Sequence, residues 1–134
     1  MLAKTVLAFS VFISIGCHAA SSSPVMCADS DMNNEEIYVC SRQKLLDADA
    51  ELNRSYQALN DKISSDYKAE PQSGNALKEH IKKSQRAWIT VRDENCLTES
   101  FVIPRSTPAY EATKNLCLAR ESMDRTRYLK DLAS

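Results

Sequence analysis

The sequence contains very little glycine, and this narrows its possible functions at once. Only two of its 134 residues are Gly, and neither lies in a Gly-rich loop, so the chain shows no phosphate cradle for a nucleotide. It also lacks an excess of charge of one sign, because 17 Lys and Arg balance 18 Asp and Glu. A strongly basic nucleic-acid-binding protein is therefore excluded. We expect neither a cofactor nor a nucleic-acid partner.

The chain also lacks a hydrophobic run long enough to cross a bilayer. Its one apolar run, Val6–Gly16, follows Lys4 and precedes small residues that end at Ala20, and it is well short of the roughly 20 residues of a transmembrane helix. This pattern is typical of a secretory signal peptide. We predict that residues 1–20 are removed and that the mature protein is periplasmic or secreted, with no transmembrane span. In the alternative, Cys17 is the lipidated first residue of an envelope lipoprotein.

Five cysteines are an odd number for a disulfide framework, and removal of the signal peptide explains the fifth. Cleavage leaves four in an oxidising compartment, where disulfides persist: Cys27, Cys40, Cys96 and Cys117. Their spacing slightly favours pairing of the first cysteine with the second and of the third with the fourth, while the other two connectivities stay open. A zinc site is a weaker alternative, because no short Cys-x-x-Cys pair is present.

Helical periodicity is the main pattern in the mature chain. An Asn N-cap with acidic residues in the first turn predicts a helix start near residue 34, and apolar residues then recur at steps of seven, four and three as far as Tyr67. We therefore predict one long helix over residues 34–68, preceded by a flexible segment, residues 21–33.

Two further helices are predicted, over residues 75–97 and 109–132, and no alternating strand pattern occurs. Pro71 and Gly74 precede the first of them, and a connector with two Pro precedes the second. Their apolar faces are expected to be Leu77, Ile81, Ser84, Trp88 and Val91, and Leu116, Ala119, Met123, Leu129 and Leu132. The fold class is then all-α: a small, disulfide-stapled antiparallel three-helix bundle with a long first helix, its domain covering residues 34–134 with Cys27 tied to it.

One acidic residue lies on the apolar face of the long helix. In an up-down-up bundle the four cysteines fall at one end, and distances along the helices place Asp49, Trp88 and Arg125 in one layer. A buried carboxylate needs a cationic partner. We predict an Asp49–Arg125 ion pair packed near Trp88, with Arg92 as the second choice of partner.

The same layer offers little to an enzyme. Hydrolysis needs two carboxylates flanking a cleft, or a nucleophile with a base, whereas Asp49 stands alone. His80, the only His of the mature chain, lies among charged residues on an expected solvated face. We therefore predict that the protein is not an enzyme and holds no metal.

Three motifs of the chain resemble those of the LprI-like lysozyme-inhibitor domain family, over about residues 27–132. They are Asp49-x-x-Leu52-Asn53-x-x-Tyr56-x-x-Leu59, Gln85-Arg86-Ala87-Trp88-x-x-x-Arg92-Asp93-x-x-Cys96 and Cys117-Leu118-Ala119-x-x-Ser122-x-x-Arg125-Thr126-x-x-Leu129. Ser122 stands where the family usually has Thr, and the connector, often Gly-rich in the family, is here Pro-Arg-Ser-Thr-Pro. Among the motif residues we expect a structural polar layer of Asp49, Gln85, Trp88, Arg92 and Arg125.

The resemblance implies a small secreted or periplasmic helical domain that is not an enzyme, in a family of which one member inhibits lysozyme. The leading hypothesis is therefore an envelope protein that binds and blocks a peptidoglycan-cleaving lysozyme. The alternative is a periplasmic protein–protein interaction or immunity module without lysozyme affinity.

A lysozyme inhibitor needs a surface that approaches a basic enzyme and a segment that fills a cleft with paired carboxylates. The expected acidic approach surface is Asp29, Asp31, Glu35 and Glu36. The expected cleft-filling residues lie in the segment 101–110: Phe101, Arg105, Ser106 and Tyr110. The simpler alternative is that this segment only connects two helices.

Overall fold

Three α-helices form the whole of the regular structure in the part of the chain that the computed structural model describes, Cys27 and residues 32–134. The helices are α1 (Asn34–Asp66), α2 (Pro71–Glu99) and α3 (Pro108–Leu132). They pack as a bundle, α1 is the longest at 33 residues, and no strand occurs in this part of the chain. The predicted fold class is confirmed. None of these helices is apolar over the length that a bilayer requires.

Several predictions fall on residues outside the described ranges. They are the signal peptide at residues 1–20, the lipidation of Cys17, and all of the predicted flexible segment, 21–33, except Cys27, Met32 and Asn33.

The start of α1 is set by a complete capping box. The Asn33 side chain accepts hydrogen bonds from the backbone N–H groups of Glu35 and Glu36, and the Glu36 carboxylate accepts one from the Asn33 N–H at 2.8 Å. These bonds satisfy N–H groups that no helical carbonyl can reach. The helix start predicted from the Asn and the acidic first turn therefore has a specific cause.

Proline begins two of the helices. Pro71, interpreted from the sequence as a break, is the first residue of α2, which starts four residues before the predicted boundary. Pro108 occupies the same position in α3 and follows the cap residue Thr107, whose side chain accepts a hydrogen bond from the Tyr110 N–H. The first turn of a helix needs no N–H donor, and the fixed φ of Pro suits it.

The closest packing in the bundle is between α1 and α3, along two rows of small side chains. On α3 the buried positions recur at steps of three and four: Ala112, Asn115, Ala119, Ser122, Thr126 and Leu129. On α1 they include Ser41, Ala48, Leu52, Ser55 and Leu59. Small side chains at a helix contact allow a short distance between the axes, so this seam sets the frame against which α2 packs.

α2 packs against this pair through fewer buried side chains. Its buried residues are Gly74, Ile81 and Cys96. Ile81 joins the apolar cluster of Leu52, Leu59, Ile63 and Leu129, against which Tyr56 and Trp88 pack. Five residues expected on the apolar faces of α2 and α3 are instead exposed, and that expectation was wrong: Leu77, Ser84 and Val91 on α2, Met123 and Leu132 on α3.

Gly74 allows the first turns of α2 to lie against the end of α1. A Cβ atom at this position would lie 2.8 Å from the Tyr67 Cβ, closer than carbon atoms tolerate. The short turn between α1 and α2 therefore depends on the absence of a side chain here.

Each disulfide joins two cysteines that follow one another in the order of the four. Cys27 pairs with Cys40 and Cys96 pairs with Cys117, so the favoured connectivity is confirmed. Because all four thiols are in disulfides, the zinc alternative is wrong, and the described residues contain no other cluster able to hold a metal. We call the end of the bundle that holds both disulfides the disulfide pole.

Candidate functional site

The predicted polar layer exists as a clamp between all three helices, with one change of partner. Asp49 of α1 accepts hydrogen bonds from Ser122 Oγ of α3 at 2.8 Å and from Arg92 Nη1 of α2 at 3.3 Å. The predicted Asp49–Arg125 ion pair is wrong, and the second choice, Arg92, is the partner. Arg92 also binds Asp93 at 2.9 Å.

Arg92 is favoured because it is held from several sides. Its side chain is 15% exposed, donates to Ser122 Oγ at 3.2 Å, and lies 5.2 Å from the centre of the Trp88 ring. The Asp49 side chain is 43% exposed, so the carboxylate lies at the edge of the core. The clamp thus joins three helices while the carboxylate stays partly in contact with water, so its desolvation penalty is small.

Arg125 is the second arginine beside Trp88, and its hydrogen-bond partners are neutral. Its Nε donates to Gln85 Oε1 at 2.9 Å and its Nη2 to Ser84 Oγ at 2.8 Å. The guanidinium stacks on the rings of Trp88 and Tyr128, at 5.7 and 4.7 Å. Partial burial lowers the pKa of Arg125, although Tyr128 acts in the opposite direction.

The clamp and the stacked residues thus bring together all five residues of the expected layer, and they hold the helices in register. Asp49 and Asp93 both bind the same guanidinium, so the two carboxylates and Arg92 act together to position the helices.

The connector between α2 and α3, residues 100–107, is anchored at its first residue and exposed immediately after it. Ser100 is fully buried and donates to the Cys96 carbonyl at 2.8 Å, and Cys96 is bonded to Cys117 of α3. By contrast, Phe101 is 76% exposed and Val102 is 89% exposed. An apolar pair therefore projects from a base that the disulfide holds.

Of the other residues expected to contact a partner, Arg105 and Ser106 are exposed, but Tyr110 is not. Tyr110 is 5% exposed and Lys114 lies 5.1 Å from its ring centre. The expectation that Tyr110 contacts a partner was wrong, because the first turn of α3 directs this ring into the core.

The expected acidic approach surface is only partly described. Glu35 is exposed beside the connector, where it lines a shallow depression with Arg105 and Ser106. Glu36 is committed to the cap of α1. Asp29 and Asp31 lie outside the described residues.

A groove at the opposite end of the bundle was missed by the sequence reasoning. It has a volume of about 420 Å³ and lies between the end of α1, the first half of α2 and the end of α3. We call it the distal groove; its lining includes Leu59, Ile63, Tyr67, Leu77, His80, Ile81, Arg125, Tyr128, Leu129 and Leu132. The sequence does contain the apolar residues that line this groove, but those near the helix ends were interpreted as core residues. In this part of the bundle α2 buries only Gly74 and Ile81, so the apolar residues that line the groove stay partly exposed.

Fold and site together define a small helical domain, stapled by disulfides at one pole and clamped by a buried arginine at its middle. Residues 27–129 match the family model described as lysozyme inhibitor LprI, and the chain belongs to this family. The resemblance seen in the sequence motifs is confirmed. This is a family of inhibitors, and membership together with the disulfides indicates an extracytoplasmic location.

A solved structure has a similar fold. The crystal structure of a DUF1311 family protein from Pseudomonas putida KT2440 is 26% identical to this chain, with a TM-score of 0.69, and the match covers 76% of this chain and 98% of that chain. No protein of the curated set matches the chain significantly.

Proposed function

We propose that this protein is a periplasmic or secreted inhibitor that binds a peptidoglycan-cleaving lysozyme and performs no catalysis itself. The observation that carries the proposal is the match to the lysozyme inhibitor LprI family over residues 27–129. The exposed connector at the disulfide pole supports it with a surface suited to entering a cleft.

The connector has the properties of an inhibitory loop. Phe101 and Val102 project from it, and its base is held by the Cys96–Cys117 disulfide. A loop that is already ordered loses little conformational entropy on binding, so more of the contact energy appears as affinity. Exposed aromatic and arginine side chains are also the residue types that contribute most to protein interfaces.

The chemistry of the connector matches that of a lysozyme cleft. Such clefts contain paired carboxylates, which Arg105 would bind as a cation and Ser106 as a hydrogen-bond donor. Phe101 would stack on the apolar walls that otherwise contact sugar rings. Glu35, beside the connector, would favour the approach of a basic enzyme.

The test is inhibition of bacterial cell-wall lysis by a c-type lysozyme, using the oxidised protein. We expect saturable inhibition, and we expect Phe101→Ala and Arg105→Ala each to weaken it by about tenfold or more. Met123→Ala is the matched control, because Met123 is an exposed apolar residue of α3 far from the connector, and it should inhibit as well as the wild type.

Two results would contradict the proposal at different levels. Absence of inhibition by the folded wild-type protein would refute lysozyme binding and leave a protein-interaction or immunity role. Full inhibition by both connector variants would keep the function but refute the connector as its binding surface.

A further inference from the structure

The distal groove combines an apolar floor with a cation that has no acidic partner in the described part of the chain. The floor is made by the buried residues Leu59, Ile63, Ile81 and Leu129. Leu77, Leu132 and Tyr128 form the walls and remain between one third and one half exposed. The volume of about 420 Å³ falls within the roughly 300–1,000 Å³ of small-molecule sites.

Charge in the groove is concentrated on Arg125. Lys62 is neutralised by Asp66, with their charged atoms 2.9 Å apart. Among the described residues, the hydrogen-bond acceptors of Arg125 are instead Ser84 and Gln85, which are uncharged, and its Nη1 has no acceptor there. Burial lowers the pKa of this guanidinium, because water solvates the cation incompletely. An anion bound here would supply the missing counter-charge.

We infer that the distal groove binds a free long-chain carboxylate, with the alkyl chain along Leu59, Ile63 and Leu129 and the carboxylate on Arg125. A neutral apolar molecule would leave the cation unpaired. A polyanion such as a nucleotide carries several negative charges, whereas the groove offers one cation above an aliphatic floor. The inference is independent of the proposed function, because the connector lies at the opposite pole.

The probe for the test is dodecanoate below its micelle concentration, titrated into the oxidised protein and followed by calorimetry. We expect saturable binding of one dodecanoate per chain. Dodecyltrimethylammonium, which has the same chain and the opposite charge, should bind at least tenfold more weakly. Trp88 is the only tryptophan and stacks on Arg125, so its fluorescence should change in parallel with the heat.

Two exposed positions on α2 provide a matched pair of variants. Leu77 lines the groove and is 36% exposed, whereas Ile89 lies outside it and is 39% exposed. Leu77→Asp should weaken dodecanoate binding at least tenfold by removing an apolar wall and adding a repelling charge. Ile89→Asp should bind as the wild type does. Arg125→Gln retains hydrogen-bond donors without the charge and should also bind at least tenfold more weakly.

Several outcomes would overturn the inference. Absence of dodecanoate binding would refute it directly, and equal loss in Leu77→Asp and Ile89→Asp would place the binding elsewhere. Equal affinity for the cationic probe would refute the role of Arg125. Tighter binding of a short leucine-rich peptide with a free C-terminal carboxylate would refute the choice of an alkyl chain. None of these results changes lysozyme inhibition, so failure of this inference is distinguishable from failure of the proposed function.

Discussion

Hydroxyl groups at the α1–α3 seam have different environments although their side chains are equally small. Ser122 is fully buried and donates to Asp49 while accepting from Arg92. Ser55 is also buried, but its Oγ is the one buried side-chain polar atom without a hydrogen-bond partner in the described part of the chain. A buried hydroxyl contributes stability only when it is bonded.

The same substitution should therefore affect stability differently at these two positions. Ser122→Ala should lower the free energy of unfolding by about 1–3 kcal/mol, because it removes both hydrogen bonds of the Ser122 hydroxyl and leaves Arg92 and Asp49 under-satisfied. Ser55→Ala should leave stability unchanged or raise it by up to about 1 kcal/mol, because it removes an unpaired polar group. Urea unfolding measures both, and equal losses in the two variants would contradict the assignment of the clamp.

Residue-scale prediction from sequence worked for the composition of the polar layer and failed for one pairing within it. The rise of a helix placed Asp49, Trp88 and Arg125 at one height, but it carries no information on side-chain direction across the bundle. Arg92 reaches Asp49 because it packs between Trp88 and Ser122, and Arg125 turns toward Ser84 and Gln85.

At the scale of the helices, the turn between α1 and α2 is the tightest constraint. Gly normally weakens a helix by about 1 kcal/mol relative to Ala, so a Gly→Ala change at a solvent-exposed helix position would be stabilising. At Gly74 the added Cβ would collide with Tyr67, and we expect a net loss of about 1–2 kcal/mol. Ser73→Ala, at an exposed neighbouring position, is the control and should be neutral or slightly stabilising. Stabilisation by Gly74→Ala in thermal unfolding would show that the turn has room to adjust.

An ion pair between the end of α2 and α3 makes part of the stability depend on pH. Arg120 binds both carboxylate oxygens of Glu99, the shorter distance being 2.7 Å, and these bonds lower the pKa of Glu99. A carboxylate with a lowered pKa in the folded state stabilises the fold above its unfolded-state pKa, and this contribution disappears as the pH falls through the folded-state pKa.

Glu99→Gln should therefore reduce stability at neutral pH and have no effect in acid. Both side chains are about half exposed, so the loss at pH 7 should be under about 1 kcal/mol, and it should vanish in strong acid, once the pH has fallen through the folded-state pKa of Glu99. A double-mutant cycle with Arg120→Gln, by urea unfolding at both pH values, isolates the pair. A coupling energy that persists in acid would argue against this assignment.

Across the whole molecule, the two disulfides have unequal roles. Cys96–Cys117 joins α2 to α3, both of its residues are buried, and it closes the longer loop, with a sequence separation of 21 against 13 for Cys27–Cys40. It also holds the base of the connector. The second disulfide ties only the segment before α1 to that helix.

Removing Cys96–Cys117 by a double Cys→Ala change should cost about 2–4 kcal/mol and should weaken lysozyme inhibition. Removing Cys27–Cys40 in the same way should cost less and leave the connector in place. Urea unfolding of the two variants, with the cell-wall lysis assay, measures both effects. A larger loss on removing Cys27–Cys40 would mean that the N-terminal segment contributes more to the fold than the described contacts indicate.

The sequence by itself determined the all-α class, the position of each helix to within a few residues, the four disulfide cysteines and the membership of the polar layer. These features follow from local rules: caps, periodicity, proline and the constant rise of a helix. Only the tertiary structure decided which arginine binds Asp49, that Tyr110 is buried, and that Leu77 and Leu132 border a groove. Side-chain direction and the small number of residues that α2 buries decide these features, and both depend on neighbours distant in the sequence.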